Sequence, residues 1–490
     1  AKRVLFEPRR VRPTGAARAC GRRSGYDQRR RRGAGSFGLP TIMRKRTSMP
    51  RQEDTTEELQ RRKARFVRAL GRSTEKVLHE LEADDRRPAT MNRFLDVLRR
   101  AFLSGEEVDG PALHPGQKVI GTYCIMAPEE FIYAAGAVPI RLCGGSYEAA
   151  LAGDDLVPRD ICPVVRASAG LTSFGLLPIY RRFDAVIVPT TCDGKRKLGE
   201  ALSDFLPVWM LEVPHIKETE RSRIEWLEQI YAVKRNIEKL TCRKINRKTL
   251  REAIGRIARA QYQARRLHEL RSADPIVVLG QHAMLALNAY AYDTVDEWAG
   301  AMTRFNDELE QRRRQGRSVA DKRAPRVLLA GSPVVFPNWK LPMLIEEMGG
   351  VVVIDETCMA DRLLYDPVGV SEGSMTEMIR GIAARLIMPC TCPSFSPNED
   401  RMYRLRQLVE KFRVDGVIYH VLKGCMIYDF EVARVERMMK EAGVPLLRVE
   451  TDYNPEDVEQ LRTRIEAFLE MTGAKKSEAR CESNEILCGN

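Results

Sequence analysis

The sequence predicts an α/β protein: two doubly wound, flavodoxin- or Rossmann-like parallel-sheet domains, with a helical N-terminal segment and a helical connector. Three observations carry this reading. Short runs rich in Val and Ile alternate with amphipathic stretches over residues 118–217 and again over 323–473, the pattern of strands covered on both faces. Between them, residues 218–322 include long charged stretches with apolar residues three and four apart, the period of a helix. The net charge, finally, is confined to one end of the chain.

Residues 1–50 hold fifteen Lys and Arg against two Asp and Glu, so the entire net charge of +13 lies there and the remainder is neutral. Arg blocks interspersed with Gly and Pro, without apolar periodicity, predict a disordered basic extension. A nucleic-acid arm or an Arg-rich transit segment would share that composition. The expectation is an extension without function, upstream of a start at Met43 or Met49, and no nucleic-acid partner. Residues 51–117 form the helical N-terminal segment, with EELQRRKARFVRALGRSTEKVLHELEADD and MNRFLDVLRRAF at helical spacing.

The first α/β unit, 118–217, opens with the strand KVIGTYC (118–124). The stretch PEEFIYAAGA (128–137) follows as a helix with Pro in its first turn. VPIRLC (138–143), DAVIVPTTC (184–192) and VWMLEVP (208–214) are further strands, and a helix follows Cys162. In the second unit, 323–473, the strands are RVLLAG (326–331), VVVIDE (351–356), GVIYHVL (416–422) and VPLLRVETD (444–452). Helices are expected near 341–349, 373–385, 398–413, 429–442 and 455–471. Residues 474–490 read as a disordered tail. The similar strand counts of the two units hint at an old duplication.

At 490 residues and 44% hydrophobic, the chain can bury large cores. No apolar run approaches the roughly 18 residues of a membrane span, and no apolar signal segment opens the chain. The expected location is the cytoplasm, without a membrane partner. Twelve cysteines in so long a chain do not suggest a secreted disulfide framework.

Their placement carries chemistry. In open parallel sheets, ligands bind beyond the carboxyl ends of the strands. Cys124, Cys143 and Cys192 end predicted strands, while Cys358 and Cys425 follow strands by two and three residues. Cys390 and Cys392 lie in the loop MPCTCPSFSPN, and Cys162 precedes a helix in RDICPVVR. Cysteine used only as a small hydrophobe would sit inside strands and helices rather than at their ends. Zinc sites favour paired C-x₂₋₄-C knuckles; here only Cys390 and Cys392 are close, and dispersed thiolates suit an iron–sulfur cluster. A Cys–His pair using His215 or His420 is the weaker alternative. No phosphate-binding loop, dinucleotide fingerprint or nucleophile elbow is present.

The segments GTYCIMAPEEFIYAAGAVPIRLC, RDICPVVRAS, DAVIVPTTCDGKRK and GVIYHVLKGCMIYDFE resemble the 2-hydroxyacyl-CoA dehydratase D-component family, which includes subunits of benzoyl-CoA reductase, over about 118–471. The resemblance implies a cubane held by Cys162, Cys192 and Cys425. GTYC, DETC, PCTCPSFSPN and ETDY resemble the double-cubane branch, which implies an 8Fe-9S cluster held by six thiolates. Those six are Cys124, Cys162, Cys192, Cys358, Cys390 and Cys425, with Cys392 and Cys143 in reserve. The resemblance also implies an ATP-hydrolysing activator as electron donor, a small-molecule substrate and a homodimer. Two other functions stay open: a dehydratase subunit with a single 4Fe-4S cluster, and a non-catalytic iron–sulfur carrier or scaffold. Glu129 and Glu130 read as acidic residues at a helix start; Asp193, Lys195, Lys423 and Glu450 are candidate neighbours of the site.

Overall fold

A computed structural model describes residues 41–42, 56–103, 114, 116–364, 367–370 and 373–488, of which 41–42, 56 and 475–488 are described by backbone alone. The expected extension at 1–50 therefore lies outside the described residues except at one point. Strand β1 (Thr41–Ile42) pairs antiparallel with a later strand, Thr41 opposite Trp209 and Ile42 opposite Val208. The outer edge of a sheet offers unpaired backbone groups, and a Thr–Ile pair suits it. Helices α1 (Thr56–Ala83) and α2 (Asn92–Phe102) form the N-terminal segment, as expected.

The first lobe follows as β2 (Val119–Thr122), α3 (Glu129–Ala134), β3 (Val138–Arg141), α4 (Tyr147–Gly153), α5 (Pro163–Phe174), β4 (Ala185–Pro189), α6 (Asp193–Leu202) and β5 (Val208–Leu211). Its strands are fully buried, which is why they carry Val, Ile and Leu without alternation. Four parallel strands stand in the order β5-β4-β2-β3, with β1 on the edge. Helix α5 begins with Pro163 at its first position and ends at Gly175 in the left-handed conformation.

The connector holds α7 (Glu220–Thr241), α8 (Arg247–Ser272), α9 (Gly280–Asn288) and α10 (Val295–Arg314). Asn246 caps α8 through a capping box with Thr249. These helices do more than span a gap. α8 packs on α3 of the first lobe and on the second lobe, and α9 packs on the second lobe's sheet.

The second lobe runs β6 (Arg326–Gly331), α11 (Lys340–Glu347), β7 (Val351–Glu356), α12 (Met375–Ile387), α13 (Glu399–Lys411), β8 (Gly416–Leu422), α14 (Met426–Glu441), β9 (Leu446–Thr451) and α15 (Val458–Cys488). Its four strands are parallel in the order β7-β6-β8-β9. Both lobes thus repeat one element order and one strand order, with the switch between β2 and β4 in the first and between β6 and β8 in the second. α15 carries on to Cys488, through the stretch read as a disordered tail; Ala, Lys, Glu and Arg there favour helix.

One continuous apolar core joins the first lobe, the connector and one face of the second sheet, and a second core fills the other face. The lobes also meet through polar contacts. Gly145 N donates to Phe336 O at 3.0 Å, Ser396 N to His215 O at 2.8 Å, and Lys217 Nζ to Cys390 O at 3.0 Å. No helix among the described residues is long and apolar enough to cross a membrane.

Candidate metal centre

The lobes face each other across the carboxyl ends of their strands, where doubly wound sheets bind ligands. Cys124 follows β2, Cys143 follows β3 and Cys192 caps the start of α6 after β4. In the second lobe Cys358 follows β7 and Cys425 precedes α14 after β8. Cys162 sits between α4 and α5, and Cys390 and Cys392 sit at the matching place between α12 and α13. All eight are free thiols. The position matching Cys124, after β6, holds Ser332.

The cysteines fall into two groups, each drawn from both lobes. Cys162, Cys192 and Cys425 form the outer one, and all three are half-buried. Gly424 turns the Cys425 loop at φ 73° and lies so close to the Cys162 loop that a Cβ would stand 2.3 Å from Asp160 O. The Cys162 and Cys425 thiols share a hydrogen bond, which raises the first and draws the second down to about 7. The Ser332 hydroxyl adds to the lowering of Cys425. Burial raises Cys192; Lys195 opposes it, and its backbone N–H meets Cys192 Sγ at 3.4 Å.

Cys124, Cys143, Cys358, Cys390 and Cys392 form the inner group. Cys124 has a φ of 64°, in the left-handed region that non-glycine residues seldom adopt outside functional sites. Burial raises the Cys124 thiol, but Lys195, the N–H groups of Met126 and Ile125, and Arg141 together hold it below its ordinary value. Burial pushes Cys358 up to about 12 against the pull of Arg362, and raises Cys390 and Cys392 as well. The field of Cys124 reaches Cys358, Cys390 and Cys392 across the lobes.

Three cations stand among these thiols: Arg141, Lys195 and Arg362. Lys195 Nζ donates to Thr191 Oγ1 at 3.0 Å and is itself raised by Cys124, Cys192, Cys143 and Cys358. Arg362 donates to Thr391 O at 3.0 Å and to Tyr428, and faces Glu356 at 3.3 Å. That fixes the loop between Cys390 and Cys392, whose Thr391 also donates to Glu356 at 2.8 Å. A recess of about 20 Å³, room for about one water, lies against Cys390 between Ile125, Arg362, Arg385 and Leu386.

The donor set fits an iron–sulfur cluster. Thiolates are its ligands, and the cations offset their charge in a buried place. Thiols held protonated by burial would release protons as iron binds. Among the described residues, no three His, Cys, Asp or Glu side chains are placed to share one metal ion; cluster thiolates bind different irons and need not converge. His420 is a buried core residue of β8, kept neutral by burial with its pKa near 4, and His215 is exposed.

The carboxylates at the start of α3 do more than face a helix end. Glu129 pairs with Arg141 at 2.9 Å, and Glu130 crosses the seam to Arg385 at 2.6 Å. Asp193, Lys423 and Glu450 are exposed and pair with Arg196, Asp452 and Arg448. Arg141, Ser332 and Arg362 escaped the sequence reading. Arg141 left a trace, a charge inside the otherwise apolar strand VPIRLC.

Comparison with known proteins bears on this geometry. Residues 124–472 match the family described as 2-hydroxyglutaryl-CoA dehydratase, D-component. The chain is 29% identical over 390 residues to a protein of Escherichia coli provisionally named dehydratase subunit YjiM, covering 78% of this chain and 98% of that one. It is 21% identical over 371 residues to the (R)-2-hydroxyglutaryl-CoA dehydratase subunit beta of Acidaminococcus fermentans, 72% of this chain and 92% of that one. It is 23% identical over 383 residues to a benzoyl-CoA reductase subunit of Thauera aromatica, 76% of this chain and 97% of that one.

Proposed function

Because the chain belongs to the 2-hydroxyglutaryl-CoA dehydratase D-component family, we propose that it is an iron–sulfur reductase with a double-cubane 8Fe-9S cluster, fed by an ATP-hydrolysing activator and reducing a small substrate. The observation that carries the reading is the pairing of an outer and an inner cysteine group, each built from both lobes. The outer group, Cys162, Cys192 and Cys425, would hold one cubane. Cys124, Cys358 and Cys390 would hold the other, with Cys392 and Cys143 beside them. When bound, the cluster supplies one-electron transfer at low potential.

The chain's own residues prepare that chemistry. Lys195 stands between the groups and offsets the charge of both. Apolar packing buries Cys124, Cys143 and Cys390 of the inner group, while Cys358 and Cys392 are half-buried. The activator would dock where the lobes meet, beside the half-exposed outer group. A cytoplasmic homodimer would offer a symmetric activator a matching two-fold surface.

An anaerobic assay with each component omitted in turn tests this. The purified chain alone should neither hydrolyse ATP nor accept electrons from NADH or NADPH. Activator, ATP and a strong reductant together should give a reduced-cluster signal and substrate turnover. Equal reduction by a nicotinamide without activator would overturn the reading.

The names of the relatives favour a second reading, a 2-hydroxyacyl-CoA dehydratase subunit, which by the family resemblance would hold a single 4Fe-4S cluster. It predicts iron in the outer group alone and a required second subunit.

A further inference from the structure

Arg141 closes β3 and is 3% exposed. Its guanidinium is gripped from one side. Nη2 donates to Glu129 Oε1 at 2.9 Å, and Glu129 Oε2 in turn accepts from the Tyr290 hydroxyl at 2.7 Å. Glu129 is thereby occupied at both oxygens. Nε and Nη1 of Arg141 are sealed from solvent and have no hydrogen-bond partner among the described residues.

A buried N–H without an acceptor is rare, because it has given up water for nothing. Arginine carries five donors and no acceptor, so only an acceptor can complete it. The charges around this guanidinium, after that of Glu129, are those of Cys143, Cys124 and Cys358, all in the inner group and drawn from both lobes. Lys195 donates to Thr191, and Arg362 donates to Thr391 and Tyr428 and faces Glu356, which leaves one of its nitrogens, Nε, without a hydrogen bond, against two in Arg141. Arg141 is thus held through Nη2, with two nitrogens, Nε and Nη1, left without acceptors beside the inner group.

We propose that Arg141 donates hydrogen bonds from Nε and Nη1 to sulfur of the inner cluster and thereby sets its reduction potential, an inference that rests on reading the cysteine chamber as a cluster site. Reduction adds one electron, taken from the reductant, and no bond forms or breaks at Arg141, which keeps all its protons. A charged donor stabilises the more negative, reduced state more than the oxidised one. Arg141 therefore makes the inner cluster easier to reduce. Arg141 is a positioning and tuning residue, not a ligand, and a lysine would keep the charge but lose the two-pronged geometry.

The test uses the full chain, purified anaerobically as wild type, Arg141→Lys and Arg141→Gln. Iron is counted, and the potential is read by a spectroscopic titration with a titanium(III) reductant. The inner signal is identified as the one abolished by Cys358→Ala. Arg141→Lys should keep wild-type iron while its one-electron equilibrium constant for reduction falls at least tenfold, about 59 mV for one electron. Arg141→Gln should fall further. Couplings to exchangeable protons at the inner signal should weaken in Arg141→Gln, those of the backbone N–H groups on Cys124 persisting. A wild-type potential in Arg141→Lys at full iron would overturn the proposal, and so would loss of iron from that variant, which would make Arg141 a structural residue. A wild-type chain that binds no iron would instead overturn the cluster reading itself, and this inference with it.

Discussion

The two lobes run through the same order of strands and helices, yet they do not supply the site in the same way. After β3 and β7, between the paired helices, and after β4 and β8, cysteine answers cysteine: Cys143 and Cys358, Cys162 and Cys390 or Cys392, Cys192 and Cys425. After the first strand the match fails. The first lobe has Cys124 in a strained backbone conformation, and the second has Ser332, whose hydroxyl accepts from Leu422 N at 3.0 Å and leans on Cys425. Neither lobe completes a cysteine group by itself. Cys425 crosses to Cys162 and Cys192, and Cys124 crosses to Cys358, Cys390 and Cys392. A repeated fold has become a mutual clasp, and the seam matters as much as the ligands.

The largest effect should come from removing ligands on either side of this crossing. Cys192→Ala should cost half or more of the bound iron by breaking the outer group. Cys358→Ala should cost about half by breaking the inner one, about four irons of eight if each group holds one cubane. Of Cys390→Ser and Cys392→Ser, the first should lose inner iron and the second should not. Cys242→Ala should change nothing, since Cys242 is exposed at the end of α7, away from both groups. Iron analysis with visible spectra checks all five. Full iron in Cys358→Ala would dissolve the comparison and leave one cluster.

A smaller effect should follow from disturbing the seam without touching a ligand. Gly424→Ala would drive a methyl group into Asp160 O at a φ of 73°. Left-handed strain and overpacking together should cost about 3 kcal/mol. Gly443→Ala has a similar φ of 70° but open space around it, so only the strain remains, about 1 kcal/mol. Denaturant melts compare the two, and the outer iron should be lost first in Gly424→Ala. Equal destabilisation by both would mean that the seam at Cys162 and Cys425 bears no tight packing.

Much of this organisation could be read from residues alone. β2, β4, β6, β7 and β8 are mainly aliphatic runs, buried throughout, and the ends of β2, β4, β7 and β8 lead to Cys124, Cys192, Cys358 and Cys425. Pro163 announced α5. The short helix α4 was overlooked because YEAALAG is too brief for periodicity to show. The connector was legible as helices but not as shared cover, since only contacts reveal that α8 packs on both lobes. Two residues of the basic stretch join a sheet edge, a pairing that charge and composition could not foretell. The division into outer and inner groups was also hidden. Sequence order sorts cysteines by lobe, and the fold then crosses them. The cations were hardest to see, because the value of Arg141, Lys195 and Arg362 lies in which thiols they face.

The central claim, two cysteine groups holding one double cluster, meets its most direct test in the iron and acid-labile sulfide content of the anaerobically purified full chain. The account predicts about eight irons per chain with sulfide slightly in excess. About four irons would contradict it in favour of a single cubane in the outer group, and stoichiometric zinc without sulfide would contradict both.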